Sequence, residues 1–307
     1  MSILEALILA LVEGLTEFLP VSSTAHLLFT EELAGIQQTE FVKMFTVSIQ
    51  FGAILAVVVA YWQRFFKKIQ WVFYRTLAIA VIPALILGKL FDDNIEAVFE
   101  KPIIIAAVLI FGGVVLLFID RIFSKQSQIN DQEVSMRKGI LIGLWQCLAM
   151  MPGVSRSAAS IVGGMQQGLN RKSAAEFSFF LAVPTMAAVT LYSVFLKDWC
   201  YNGHETKGIE MILSSTENTL VFLIGNVASF IVAFIAIKSF ISFLQKYGFK
   251  IWGIYRIVVG VVLLLLFLHQ NIRTKNSRNV KQRLQRNHEF TRRRSLTSRQ
   301  TLRLDVV

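Results

Sequence analysis

The sequence predicts an all-α membrane protein that crosses the bilayer several times. Of its 307 residues, 54% are hydrophobic and 17% are charged, and the mean hydropathy is +0.57. In a typical soluble protein, about a quarter of all residues are charged. Several apolar runs also approach the ~20 residues that a membrane-spanning helix needs. The predicted fold is an inverted-topology repeat with about six transmembrane helices and two re-entrant helix hairpins.

Apolar segments follow one another along the chain. Two of them are interrupted, because the first segment breaks at Pro20 and a later one, at 155–169, is short and contains glycine. Lipid cannot satisfy the hydrogen bonds of an open backbone, so interrupted segments predict re-entrant helix pairs whose polar turn is buried in protein. The segments lie near residues 2–19, 44–62, 72–91, 102–120, 139–151, 155–169, 176–196, 217–237 and 251–269.

The charges of the linkers orient these segments. Linkers 63–75 and 121–138 are basic, whereas residues 31–40 and 92–100 are acidic. The positive-inside rule assigns the basic linkers to the cytoplasm and the acidic ones to the outside. The first interrupted segment then begins and ends outside and the second begins and ends inside, so the two hairpins enter from opposite faces.

An internal repeat supports this arrangement. When residues 21–24 (VSST) are aligned with residues 154–157 (VSRS), Glu13 falls on Gln146. Two copies of opposite orientation predict a site near the middle of the membrane, where the broken helices meet. A matching Glu-Phe pair also opens the next long segment in each copy, at 40–41 and 176–177.

The chain is predicted to consist of a membrane domain, residues 1–270, and a tail, residues 271–307. Repeat one covers about 1–122 and repeat two about 138–268. The formal net charge is +11, and the tail, with eleven Lys/Arg and two acidic residues, accounts for +9 of it. This composition predicts a disordered, solvated tail rather than a contact with anionic lipid or nucleic acid. We expect no nucleic-acid partner.

Several common chemistries have no motif in this sequence. It contains no P-loop, CxxC, HExxH or GxSxG pattern, which argues against an ATP-driven pump and a zinc protease. Cys147 lies in an apolar segment and Cys200 in a polar loop, so we expect no disulfide between them.

Two glutamates lie one helical turn apart inside the first apolar segment. Glu13 and Glu17 are spaced i, i+4, so both carboxylates share one helix face. Like charges repel there unless a cation lies between them, and oxygen ligands suit Mg²⁺ or Ca²⁺, with substrate phosphates completing the shell. The alternative is a pair of interfacial glutamates that face water.

A hydroxyl cluster follows the glutamates. Pro20 ends the first half-helix, and Ser22, Ser23 or Thr24 can cap the second, whose free N–H groups form an anion site. His26, three residues beyond Ser23, could act as the base for that hydroxyl. The alternatives are N-capping alone and a histidine that serves only in packing.

The second interrupted segment contains an arginine flanked by serines, in the order Ser155, Arg156 and Ser157. An arginine at a re-entrant turn needs an anion nearby, and its planar fork matches phosphate oxygens. The alternative is a structural ion pair with Glu13 or Glu17.

Together these groups fit phosphoryl transfer, in which positioning and charge neutralisation supply most of the catalysis. Gln50 and Glu176 are weaker candidates. Each lies early in a span that follows a hairpin, and either could support the site or simply join two helices.

The motifs resemble those of the bacterial undecaprenyl-diphosphate phosphatases, or bacitracin-resistance proteins. The resemblance covers about residues 3–268. It includes small departures, since Ala25 and Ala158 occupy positions where the family usually has glycine. The matching strings are EGLTEFLPVSSTAH, PGVSRSAAS, EFSFFLAVP, SIQFGAILAVVVAYW and IYRIVVG.

The resemblance implies that the protein hydrolyses undecaprenyl diphosphate, a polyprenyl lipid, to the monophosphate in the bacterial inner membrane. This would recycle the carrier for cell-wall synthesis and confer bacitracin resistance, with an active site that opens to the outer face. Glu13 and Glu17 would handle metal and pyrophosphate, Ser23 and His26 would be nucleophile and partner, and Arg156 would hold phosphate. A lipid-carrier transporter or flippase is the alternative, and homo-oligomerisation stays open.

Overall fold

A computed structural model describes residues 1–67, 70–99, 101–124 and 134–270. Met1–Val261 form one compact unit, which contains all the contacts discussed below, and Val262–Val307 form a second. The second unit is described only as far as residue 270. The prediction of a disordered tail at 271–307 therefore lies outside the described residues.

Helices dominate the described chain. A short antiparallel ribbon of β1 (Asp198–Tyr201) and β2 (His204–Lys207) lies within the loop that contains Cys200. The helices are α1 (Ile3–Thr16), α2 (Ser23–Ala34), α3 (Glu40–Ala60), α4 (Trp71–Leu90), α5 (Asp92–Phe99), α6 (Pro102–Ile122), α7 (Met136–Gln146), α8 (Arg156–Gln166), α9 (Arg171–Leu191), α10 (Gly208–Leu213), α11 (Thr216–Tyr247) and α12 (Lys250–Gln270).

Six helices of the described residues are long and apolar enough to cross a membrane: α3, α4, α6, α9 with the π-helical turn after it, α11 and α12. This confirms the prediction of an all-α protein with several spans. The apolar pattern placed the end of α11 near residue 237, but the helix continues to Tyr247. Lys238 and Lys246 do not interrupt it, since lysine is a good helix former, and their ammonium groups lie over the rings of Phe234 and Tyr247.

Two pairs of shorter helices, α1–α2 and α7–α8, flank the interrupted motifs. A capping box of Ser2 and Glu5 starts α1, which ends shortly before Pro20. After α7 the chain makes a 3₁₀ turn and then the turn at Gly153, whose φ of +98° is a conformation that glycine adopts without strain. Each break therefore combines proline or glycine with a following serine cap.

Each pair packs closely against a long helix. A Cβ atom at Gly14 of α1 would lie 2.6 Å from the carbonyl oxygen of Ser229 on α11, and a Cβ atom at Gly143 of α7 would lie closer still to the carbonyl oxygen of Ala80 on α4. Phe18, at the first break, is fully buried and meets the edge of Phe179 on α9, with ring centroids 5.2 Å apart. These contacts fix the two breaks in the interior of the unit.

Candidate active site

The two interrupted motifs, far apart in sequence, contact each other directly. Ser157 donates a hydrogen bond of 2.7 Å to the carbonyl of Leu19, and Ser155 donates to the same oxygen at 3.5 Å. The break after α1 therefore lies against the start of α8. This contact brings the acidic motif and the arginine motif to one place.

Both motifs have the same strained serine cap. Ser22 has φ 70° and ψ 94°, and Ser155 has φ 77° and ψ 117°. Their hydroxyls accept from the backbone N–H groups of Ala25 and Ala158 at 3.5 and 3.3 Å. Positive φ in residues other than glycine costs about 1–3 kcal/mol, and such strain clusters at functional sites. The alanines themselves are helical, so replacing the family's glycine costs no backbone strain at either position.

Glu17, Arg156 and Ser23 form a hydrogen-bonded chain. Glu17 Oε1 accepts from Arg156 Nη2 at 2.9 Å, and Glu17 Oε2 accepts from Ser23 Oγ at 2.6 Å. The side chains of Arg156 and Glu17 are 10% and 3% exposed. A buried ion pair is weak support for stability, because desolvation offsets most of its Coulomb energy. A functional reason for placing these charges here is therefore the stronger interpretation.

Two further neighbours contact the guanidinium of Arg156. Its Nη1 donates to the carbonyl and hydroxyl of Ser178 at 2.9 and 3.3 Å, and its Cζ lies 5.7 Å from the ring centroid of Phe18. Its Nε is buried and has no partner in the described part of the chain. The fork thus retains a donor that an incoming anion can use.

Glu13 is completely buried, and neither of its carboxylate oxygens has a hydrogen-bond partner in residues 1–67, 70–99, 101–124 and 134–270. It interacts electrostatically with Glu17 and Arg156. An unpaired buried carboxylate must be neutralised by a proton or a cation. A proton shared with Glu17 or a hard cation at its oxygens would each meet this need.

Protein side chains alone do not complete such a cation site. In the described residues no group of three or more His, Cys, Asp and Glu side chains is placed to hold a metal ion. Both oxygens of Glu17 already accept hydrogen bonds. A magnesium ion at Glu13 would take its other ligands from substrate phosphate and water, which is how this ion is commonly bound.

The ring nitrogens of His26 are not hydrogen-bonded to Ser23, although the spacing of the two residues led us to expect such a bond. Its Nδ1 lies 2.8 Å from the carbonyl oxygen of Ser22, and its Nε2 lies 2.8 Å from the hydroxyl of Tyr255. A carbonyl can only accept, so Nδ1 carries the proton and Nε2 of the neutral ring accepts from Tyr255. The two rings are also nearly parallel, with centroids 5.6 Å apart. The Ser23 hydroxyl is hydrogen-bonded to Glu17, whereas the imidazole of His26 is bonded to Tyr255 on α12.

The remaining predicted residues are less closely connected. Thr24 is half-buried at the second position of α2, and Gln50 is half-buried within α3. Neither side chain hydrogen-bonds to another predicted site residue in the described chain. Glu176, on α9, interacts electrostatically with Tyr61. Their placement leaves the functions predicted for them as predictions.

The sequence reasoning missed Arg256 on α12, which joins the two breaks. It is 1% exposed, and its Nη1 donates to the carbonyls of Pro20 and Val154 at 3.2 and 2.8 Å. Its Nη2 donates to the carbonyl of Gly153 at 2.7 Å. A charged residue inside an apolar segment predicts a functional role. That signal drew attention to Glu13, and it would also have identified Arg256.

Fold and site together define a polytopic membrane protein with a buried site of carboxylate, hydroxyl and guanidinium groups, suited to a phosphorylated ligand. The chain belongs to the bacitracin resistance protein BacA family, whose sequence profile matches residues 6–262. This confirms the resemblance found in the motifs.

Similar proteins from distant bacteria are named undecaprenyl-diphosphatase. One from Flavobacterium psychrophilum is 49% identical over 271 residues, covering 88% of this chain and 98% of the relative. One from Porphyromonas gingivalis is 48% identical over 285 residues, covering 87% and 98%. One from Aquifex aeolicus is 41% identical over 266 residues, covering 86% and 98%.

Proposed function

We propose that the protein is an undecaprenyl-diphosphatase, which hydrolyses undecaprenyl diphosphate to undecaprenyl phosphate and inorganic phosphate. The observation that carries this proposal is the chain of Ser23, Glu17 and Arg156, assembled from motifs more than a hundred residues apart. Relatives whose names state this activity support it, because this chain matches nearly their whole length. The reaction would recycle the carrier lipid for cell-wall synthesis and confer bacitracin resistance.

Ser23 is the proposed nucleophile. As substrate binds, Arg156 turns from Glu17 to the phosphate oxygens, which leaves Glu17 a stronger base. Ser23 Oγ attacks the terminal phosphorus while its proton passes to Glu17, and the bond from phosphorus to the bridging oxygen breaks. Undecaprenyl phosphate leaves with the electron pair and takes up the proton from Glu17.

Water completes the cycle by cleaving the phosphoserine at Ser23. One proton of water returns to Ser23 Oγ, and the hydroxide adds to phosphorus to give inorganic phosphate. His26, oriented by Tyr255, is the second candidate for proton transfer. A direct attack by water with Glu17 as base is the variant of this scheme, and it predicts no phosphoserine.

The two helix N-termini and a cation would stabilise the phosphate charges. Ser22, Thr24, Ser155 and Ser157 lie at or beside the N-terminal ends of α2 and α8, where free N–H groups favour anions. Bound Mg²⁺ or Ca²⁺ at Glu13, with phosphate and water as its other ligands, would neutralise the diphosphate. Gln50 is proposed to contact substrate from α3.

The proposed architecture is an inverted repeat with re-entrant pairs α1–α2 and α7–α8. The equivalent serine caps support it, since Ser22 and Ser155 share an unusual backbone conformation. Packing supports it as well, because α1 of the first copy packs on α11 of the second and α7 of the second packs on α4 of the first. With the positive-inside assignment, this architecture predicts an inner-membrane enzyme whose site opens to the outer face.

Phosphate release from undecaprenyl diphosphate by purified protein tests the activity. Arg156→Ala should abolish it, whereas Arg137→Ala, an exposed arginine on α7, should leave it unchanged. Full activity of Arg156→Ala would overturn the proposed site.

A lipid-carrier transporter is the second candidate, favoured by the broken helices, which are a common transporter feature. Sealed vesicles with labelled undecaprenyl phosphate distinguish the two. Transfer of label across the bilayer without any phosphate release from the diphosphate would identify a transporter and exclude the phosphatase.

A further inference from the structure

A basic pocket lies at the ends of four helices, apart from the candidate active site. Its volume is about 450 Å³, and its lining includes Arg121 at the end of α6, Arg171 at the start of α9, Lys246 at the end of α11 and Lys250 at the start of α12. One acidic residue, Asp120, also lines it. Charged side chains thus converge on one cavity from four separate helices.

The carboxylate of Asp120 is already fully engaged. Its Oδ1 accepts from Arg171 Nη2 at 2.7 Å, and its Oδ2 accepts from the backbone N–H groups of Phe249 and Lys250 at 2.7 and 3.1 Å. Asp120 therefore ties α6 to α9 and to the start of α12. It offsets one of the four cationic charges, which leaves the pocket strongly positive.

One buried donor of the pocket lacks an acceptor, and the other cations are exposed. Nε of Arg171 is buried without a hydrogen-bond partner in the described part of the chain. In the same described residues, the side chains of Arg121 and Lys250 form no ion pair, and the ammonium of Lys246 lies 5.0 Å from the ring centroid of Tyr247. A buried N–H without an acceptor costs free energy, which a bound anion would recover.

The pocket opens at a membrane surface. Helices α6 and α11 end there and α9 and α12 begin there, and the positive-inside rule assigns these ends to the cytoplasm. Lys250 lies about 9 Å along α12 from Arg256, at 1.5 Å per residue. Phe118, 50% exposed on α6, lines the same pocket. The pocket therefore has both charged and apolar walls, at a helix end that the positive-inside rule assigns to the cytoplasmic membrane surface.

We propose that this pocket binds the phosphate headgroup of an anionic lipid of the cytoplasmic leaflet. Arg171 Nε and the three unpaired cations would contact the phosphate oxygens, and the acyl chains would run along Phe118. This site is independent of the proposed phosphatase chemistry.

Binding of phosphatidylglycerol to the purified full chain, measured by native mass spectrometry and by thermal unfolding in detergent, tests the proposal. The pocket variant is Arg121→Gln with Lys250→Gln. The matched control is Arg75→Gln with Arg137→Gln, which removes the same charge from exposed positions assigned to the same face. Phosphatidylcholine and inorganic phosphate are tested in parallel, and phosphate release from undecaprenyl diphosphate shows whether each variant is folded.

Wild type and control should bind phosphatidylglycerol and unfold at a higher temperature with it. The pocket variant should bind about 30-fold more weakly, given about 1 kcal/mol for each basic residue near a membrane surface. Its phosphatase activity should be unchanged. Equal loss of binding in both variants, or no loss in either, would overturn the proposal. Equal stabilisation by inorganic phosphate would overturn the assignment to a lipid.

Discussion

The break between α1 and α2 and the break between α7 and α8 share a backbone and differ in their side chains. Both place a serine cap at positive φ before a helix, and both caps accept from an alanine N–H. The first break carries the carboxylates Glu13 and Glu17, whereas the second carries Gln146 and Arg156. The shared backbone therefore starts two helices with the same serine cap, and the different side chains give one break the carboxylates and the other the guanidinium.

Among the side chains that differ between the two breaks, we expect the carboxylate of Glu17 to matter most for activity. Glu17→Gln preserves the shape but removes the proton acceptor of Ser23, so we expect phosphate release to fall by about 10²–10⁴-fold, the usual size of general-base catalysis. Steady-state phosphate release measures this. Glu5→Gln, an exposed acidic residue of the same helix, is the control. A Glu17→Gln enzyme within a few-fold of wild type would remove Glu17 as the base.

The pair Glu13 and Gln146, aligned in the repeat, tests whether the first break alone binds a cation. Replacing a residue that merely supports a metal ligand lowers metal affinity by about 10–100-fold. Glu13 is proposed as a direct ligand, so Glu13→Gln should raise the Mg²⁺ concentration needed for half-maximal activity by at least about tenfold. Gln146→Ala should leave that concentration unchanged. Equal metal dependence of wild type and Glu13→Gln would contradict a cation site at Glu13.

The serine caps provide the mildest comparison, because here the two breaks should behave alike. Ser22→Ala and Ser155→Ala should each lower the free energy of unfolding by about 1 kcal/mol through loss of the cap. The glycine variants should match or exceed wild type, since glycine relieves the strain of positive φ.

Thermal unfolding in detergent measures these differences. Ser135 of α7, an ordinary cap at φ −69°, is the control, and there glycine should give no gain over serine. Glycine variants at positions 22 and 155 that are as unstable as the alanine variants would show that the strain is not energetically significant.

The sequence predicted most of what depends on composition and spacing. Apolar length predicted the six spans, and the interrupted segments with Ser22 and Ser155 predicted the two breaks. It also offered, as the structural alternative for Arg156, the ion pair with Glu17 that the structure contains. Buried charges are rare enough in apolar segments that their positions alone predict where a site lies.

The sequence could not predict which partner each polar group finds. Spacing along α2 put His26 within reach of Ser23, but Tyr255, more than two hundred residues later, holds the imidazole. Arg256 donates to backbone carbonyls. Every residue has a backbone carbonyl, so the residue types do not show which one will accept. Such choices depend on long-range packing.

A double-mutant cycle of Ser23→Ala and Arg156→Lys most directly tests whether the two breaks act on one diphosphate. The quantity is kcat/KM for phosphate release from undecaprenyl diphosphate. Residues that act as one unit give strongly non-additive losses, so the double variant should be little worse than the poorer single variant. Losses that simply multiply would show that Ser23 and Arg156 act independently, and would contradict a shared site.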